Sequence, residues 1–203
     1  MTTMRPLLMV VTGRPASGKT TLSRILSEQM KCPLIARDEM KEGYINTFRS
    51  SHKDIAATAA GEIYDAFFKT IELLLSNNIS IVAEAAFQHK LWYPKLAPLM
   101  DKADIRIVIC DIAPETAMKR FAERMAADPG REKFHGDSEE FLKDIDNSLI
   151  NTYEAPHLPV PVLQVDTSDG YRPAVAEIIG FIARTFSPPS GFRPPPEPTG
   201  ASF

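Results

Sequence analysis

The sequence predicts an α/β protein in three layers, with a parallel sheet covered by helices on both faces. Three observations predict it. Five short apolar runs alternate with segments of helical periodicity, the pattern of strands joined by crossover helices rather than hairpins. The first run, Leu7-Leu8-Met9-Val10-Val11-Thr12, enters a loop bounded by Gly13 and Gly18, and a helix-forming stretch from Thr20 to Met30 follows. The chain has 203 residues and 44% hydrophobic content, enough for one domain with its own core.

Taken in order, the second strand is Pro33-Leu34-Ile35-Ala36, ending at Arg37-Asp38. A mobile stretch through Gly43 and Ser50 is expected next. A long helix then spans about 54–76, since Ile55, Ala59, Ile63, Phe67, Ile71 and Leu74 keep helical spacing, and Asn77-Asn78 ends it. The third strand, Ile79-Ser80-Ile81-Val82-Ala83, stops at Glu84. Residues 91–100 read as a helix that Pro94 and Pro98 bend or split. Ile105 to Cys110 is the fourth strand. Pro114 starts a helix to about Ala127, and Asp128-Pro129-Gly130 stops it. Another helix opens at Ser138-Glu139-Glu140 and runs to about Thr152. The fifth strand is Pro161 to Asp166, and the last helix Tyr171 to Phe186. The domain is thus expected over 1–187, followed by an extended, disordered proline-rich tail at 188–203.

A net charge of −3 weighs against a nucleic-acid partner, although a local basic cleft stays open. Cys32 and Cys110 read as buried apolar residues rather than a disulfide, and no Cys/His spacing suggests zinc. No apolar stretch reaches the ~20 residues that span a bilayer, and a cytoplasmic protein is expected.

The loop itself points to chemistry. Gly13-Arg14-Pro15-Ala16-Ser17-Gly18-Lys19-Thr20 spells G-x-x-x-x-G-K-T between a strand and a helix, the context of a nucleotide phosphate-binding loop. Gly13 and Gly18 let the backbone curl so that successive N–H groups point inward, and the helix N-terminus adds partial positive charge. Pro15 has no N–H, so the cradle is built from Ala16 and Ser17 onward. Lys19 would reach the β/γ-phosphates, Thr20 would hold Mg²⁺, and Thr21 would add a phosphate hydrogen bond. The fold is therefore expected to be that of P-loop nucleotide-binding proteins, in which ligands gather beyond the carboxyl ends of the strands.

That rule selects further residues. Asp38 past strand two is placed to take a proton from a substrate hydroxyl, or else to cap the helix starting at Glu39. Arg37 would grip a substrate anion or the transferring phosphoryl, or pair with a surface acid. Glu84 would help Mg²⁺ through water, hold a substrate hydroxyl, or brace the loop. Because Asp111 competes with Glu84 as the strand-end acid, Mg²⁺ is assigned to Thr20 alone. Arg120 and Arg124 share a helix face one turn apart, with Arg131 beyond the Asp128-Pro129-Gly130 break. They suggest an arginine-bearing lid over about 120–137 that neutralises developing charge and excludes water. The alternative is a solvated helix with Glu123 and Glu132 as partners. Gln88, His89 and His135, polar and placed in loops, would line an acceptor pocket, but read rather as exposed residues without a special task. Thr167-Ser168-Asp169-Gly170 would rest a nucleotide base or simply form a turn.

With these residues together, the chain resembles the small P-loop kinases of the AAA-domain group, relatives of zeta toxins, chloramphenicol phosphotransferase and phage polynucleotide kinase. Gly13 to Thr21 is similar to that group's G-x-P-[GA]-S-G-K-[ST]-T, Ile35-Ala36-Arg37-Asp38 resembles its second strand, and Arg120, Arg124 and Arg131 resemble its lid. The resemblance implies MgATP-dependent phosphorylation of a hydroxyl, with Asp38 as base, Arg120 packed on adenine and Arg124 on phosphates. The catalytic set expected is Lys19, Asp38, Arg124 and Arg131, with Arg37, Asp38 and Glu84 facing the acceptor. Ala16, where glycine is frequent in the group, is a departure that restricts the loop. The expected function is an ATP-dependent kinase acting on a small-molecule hydroxyl, as a monomer or homodimer. The alternatives are a polynucleotide 5′-hydroxyl kinase and a non-catalytic ATP-binding regulatory module. A GTP switch is disfavoured because no Asn-Lys-x-Asp guanine reader is present.

Overall fold

The computed structural model describes residues 5–48, 51, 54, 57–135 and 149–183. Among the described residues, five strands form one all-parallel sheet in the order β2-β3-β1-β4-β5. They are β1 Leu7–Gly13, β2 Leu34–Ala36, β3 Ile81–Glu84, β4 Asp104–Asp111 and β5 Val162–Asp166. The expected fold class is what the structure shows. Alternation along β1 explains the layers: Leu8 and Val10 face one core, Met9 and Val11 the other, and all four are fully buried. A strand covered on both sides reads as a continuous apolar run for this reason.

Helix α1, Lys19–Met30, lays Leu22 and Leu26 on the Met9 face, joined there by Ile178 and Ile182 of the last helix, Val175–Ala183. On the opposite face α3, Ala57–Ser76, inserts Phe67, Ile71 and Leu75. Each such side chain contributes ~1.5–3 kcal/mol by leaving water. The expected two-piece helix is there as α4, His89–Leu96, with Pro94 inside, followed by a 3₁₀ turn at Ala97–Asp101. Helix α5, Pro114–Ala127, follows β4.

Four expectations need correction. The stretch expected to be mobile after Asp38 is instead helix α2, Arg37–Phe48, which follows β2 without a loop. Gly43 costs such a helix ~1 kcal/mol. Burial of Ile45 and packing against α3 offset it. Strand β3 begins two residues late because Asn78, at φ 59°, closes α3 while the Ile79 N–H donates to the Leu74 carbonyl. The last helix starts at Val175 rather than Tyr171, because Arg172 first pairs backbone to backbone with Asp166. Arg131–His135, read as a polar stretch, is a short helix, α6. The helix expected from Ser138 lies outside the described residues as far as 148, and Leu149–Thr152 is helical. Residues 136–137 of the expected lid and 188–203 of the expected tail also lie outside them.

The registers bring the functional ends together. Glu84 pairs with Val11 on one side and Ala36 on the other, Gly13 pairs with Cys110, and Asp111 with Asp166. The chain leaves β1 toward β2 on one side of the sheet and leaves β3 toward β4 on the other, which opens a crevice at their carboxyl ends.

Candidate active site

The loop owes its shape to two glycines used differently. Gly13 sits at φ 147°, and a Cβ there would lie 2.3 Å from the Cys110 carbonyl oxygen and 2.6 Å from Ser17 Oγ. Gly18, at φ 83°, caps α1 with open space around it, its nearest neighbour being Thr167 Cβ at 3.9 Å. Between them the Ser17 N–H donates to the Arg14 carbonyl at 3.2 Å, closing a turn over Pro15 and Ala16. Ala16 is held at φ 60°. A turn that needs φ > 0 at its third position favours glycine there, which explains the departure at Ala16 as a strain of about 1 kcal/mol.

Lys19 is buried, and its Nζ donates to the Arg14 carbonyl at 2.9 Å. The Thr167 hydroxyl donates to the Ser17 carbonyl at 2.8 Å. Ser17 Oγ is buried without a hydrogen-bond partner among the described residues. A curl of amides around a lysine and an unsatisfied hydroxyl fits a polyanionic ligand.

On the β2–β3 side, Thr20 Oγ1 donates to Glu84 Oε2 at 3.2 Å. This distinguishes the two competing acids. Asp111 Oδ1 accepts its own neighbour's N–H, from Ile112, at 2.9 Å on the far side of β1. Burial raises the Glu84 carboxyl above its ordinary pKa, assisted by Asp38 and Glu39 and opposed by Lys19 and the Thr20 bond. β3 lies between β2 and β1, so Glu84 ends the strand between the one that leads to Asp38 and the one that leads to the loop. Asp38 occupies the first turn of α2, with its side chain 59% exposed and Arg37 Nη1 at 3.3 Å. Crowding raises its pKa, but Arg37, His135 and Lys19 together outweigh that and leave it below the ordinary value. Two carboxyls are thus pushed in opposite directions at one strand edge. Arg37 Nε is buried without a hydrogen-bond partner among the described residues.

The arginines divide. Arg120 Nη2 donates to the Thr167 and Ser168 carbonyls, both at 2.8 Å, and so fixes α5 to the turn after β5. Arg124 packs its guanidinium 5.3 Å from the Phe121 ring centroid. Arg131 opens α6, whose His135 is only 11% exposed and meets Glu42 of α2 at 2.8 Å. The reading of His135 as an exposed residue without a task is therefore wrong: it joins α6 to the helix that bears Asp38. Gln88 and His89 are half-buried rather than exposed, and His89 Nδ1 accepts the His157 N–H at 3.0 Å.

Thr21 is exposed at the start of α1. A cavity of about 450 Å³ opens on the β4–β5 side, lined by Arg14, Asp111, Pro114, Asp166 and Ser168 among others. Sequence reasoning missed Thr12 and Tyr153, whose hydroxyls lie 2.7 Å apart behind Gly13. A threonine ending an apolar strand was the one local signal; nothing near Tyr153 pointed to the loop. Among the described residues no group of three or more His, Cys, Asp or Glu is placed to hold a metal, and no helix is long and apolar enough to cross a membrane.

Residues 8–144 match the sequence model of a family described as AAA domain. A protein of Thermococcus kodakarensis named "Putative adenylate kinase" is 28% identical over 181 residues, 88% of this chain and 86% of its own length. Among solved structures, one of a "putative kinase" from Chloroflexus aurantiacus superposes with a TM-score of 0.73 at 23% identity, covering 89% of this chain and 95% of that one. An unliganded sugar kinase from Janibacter sp. gives 0.61 at 13% identity, over 87% and 94%. The fold is that of the P-loop kinases.

Proposed function

The chain belongs to the AAA-domain family, and on that premise we propose that it is an ATP-dependent kinase passing the γ-phosphoryl group to a hydroxyl of a small molecule. One observation carries the reading: Thr20 at the head of α1 is hydrogen-bonded to Glu84, with Lys19 next to it in the chain and Asp38 in the first turn of α2, just past the neighbouring strand β2. The names borne by the relatives, "Putative adenylate kinase" and sugar kinase, support a kinase, and the second of them supports a hydroxyl acceptor.

The residues suit MgATP. Amides from Ala16 to Thr20 would receive the β/γ-phosphate oxygens, with Lys19 Nζ turning from the Arg14 carbonyl to join them. Mg²⁺ needs few protein ligands beside phosphate oxygens and water, so the lack of a carboxylate cage among the described residues does not oppose it. Thr20 Oγ1 would hold the ion with Glu84 behind it, and the ion would supply neutralisation of phosphate charge.

The nucleoside would leave the loop toward the cavity on the β4–β5 side, where Arg120 frames the wall with the Thr167–Ser168 turn. That leaves the β2–β3 side for the acceptor. There Asp38 stays ionised at neutral pH and would accept the hydroxyl proton as the oxygen attacks. Arg37 would orient the acceptor, and Arg124 and Arg131 would offset charge spreading over the transferring group. Positioning supplies most of the acceleration in such a reaction.

The test is a panel of sugars, nucleosides, aminoglycoside-like alcohols and 5′-hydroxyl oligonucleotides incubated with γ-labelled ATP and Mg²⁺. Label on a small alcohol supports the reading. Label on oligonucleotides alone would make the protein a polynucleotide kinase, and tight ATP binding with no transfer to any acceptor would make it a regulatory module.

A further inference from the structure

We propose that Tyr153 is a positioning residue of the phosphate loop, an inference that rests on the kinase reading above. Thr12, fully buried, is the last residue of β1 before Gly13. Its Oγ1 accepts the Phe87 N–H at 3.0 Å, lies 3.4 Å from the Phe87 carbonyl, and is 2.7 Å from the Tyr153 hydroxyl. A threonine hydroxyl has one proton and two lone pairs. With the amide on one lone pair and its own proton toward the carbonyl, the phenol donates to the second lone pair. Every hydrogen-bonding site of Thr12 Oγ1 is then used. The phenol oxygen also faces the Gly13 amide. Burial raises the Tyr153 hydroxyl well above its ordinary pKa, so it stays a neutral donor.

The placement matters because the corner at Gly13 has no side chain to restrain it. Behind it, one oxygen of Thr12 gathers three separate pieces of chain. These are the end of β1, the loop three residues past Glu84, and the stretch that follows the lid in sequence. The same stretch makes two more ties: the Ile150 carbonyl accepts Arg14 Nη1 at 2.8 Å, and the Glu154 carbonyl accepts the His89 N–H at 3.1 Å. Within five positions, Ile150, Tyr153 and Glu154 therefore touch the loop, its corner and the start of α4. Tyr153 sets where the loop amides point without itself reaching the ligand. An interaction of that kind acts on triphosphate binding in the ground state and the transition state alike.

The experiment compares the full-length parent with Tyr153→Phe. MgATP affinity is measured by calorimetric titration at 25 °C, far below melting, and hydrogen exchange is followed at the amides of 13–18. The expected result is an affinity weakened roughly three- to tenfold, the worth of one net hydrogen bond, with faster exchange in the loop. Thr12→Val, the second variant, also strips the Phe87 N–H of its acceptor and should weaken binding at least as much, and the double variant should be no worse than Thr12→Val alone. Thr12→Ser, which keeps the hydroxyl, should bind like the parent. A Tyr153→Phe protein that binds MgATP as tightly as the parent overturns the inference, even if it melts at a lower temperature. A parent that does not bind MgATP overturns the kinase reading and this inference with it, and the two failures are thereby distinguished.

Discussion

Adding one methyl group at Gly13 and the same group at Gly18 should have very different consequences. Both glycines have positive φ, 147° and 83°, so alanine at either is strained by roughly 1–2 kcal/mol. At Gly18 that is nearly the whole effect, because nothing lies closer than 3.9 Å to the new Cβ. At Gly13 the Cβ would stand 2.3 Å from a backbone oxygen of β4, and backbone cannot rotate aside as a flexible side chain would. Relief requires β1 and β4 to part at the Gly13–Cys110 pair, in the middle of the sheet. Overpacking of that kind adds about 1–3 kcal/mol. Gly13→Ala should therefore lose roughly 2–5 kcal/mol and Gly18→Ala roughly 1–2 kcal/mol, against a whole-domain stability of ~5–15 kcal/mol. Urea denaturation of each protein without nucleotide measures both values and keeps ligand binding out of the comparison. If Gly13→Ala proves no less stable than Gly18→Ala, the close approach of the strand end to β4 does not restrict residue 13, and the reasoning fails.

Asp38→Asn should keep MgATP affinity within about twofold while phosphoryl transfer to the acceptor falls on the order of 10²–10⁴-fold; equal transfer by the variant removes Asp38 from the chemistry. Since the Asp38 pKa lies below its ordinary value, the parent's activity should show no acid limb from this group above about pH 4. Glu84→Gln should raise the Mg²⁺ concentration needed for half-maximal activity and yet leave the fold at least as stable at pH 7. A carboxyl whose folded pKa is raised destabilises the fold once ionised, a penalty absent below the unfolded value near 4.5 and complete above the folded one. The stability difference between Glu84→Gln and parent should thus grow as pH rises from 4.5, and a difference that shrinks instead refutes the assignment. Phe67→Ala, at a fully buried site among aromatic neighbours, should cost ~3–5 kcal/mol by thermal or urea unfolding without altering nucleotide affinity in the folded fraction.

The phosphate loop was readable in the sequence because its conformation is local. Two glycines, a lysine and a threonine in eight consecutive residues answer to φ angles and amide directions that need no distant partner. The same holds for the strands, whose apolar runs report burial on both faces, and for α5, marked by Pro114 at its start and Asp128-Pro129-Gly130 past its end. Helix α2 was not readable, since Gly43 and few apolar residues speak against it; Ile45, α3 and the His135–Glu42 contact hold it from outside.

By itself, then, the chain determined its fold class, its phosphate loop and the acids at its strand ends. Which acid serves the loop was decided only by the placing of β3 beside β1, which brings Glu84 to Thr20 across 64 positions of sequence. Tyr153 comes to Thr12 across 141. Periodicity and turn chemistry act between near neighbours, whereas such meetings depend on how whole strands and helices pack, and that order is not written in any one stretch of residues.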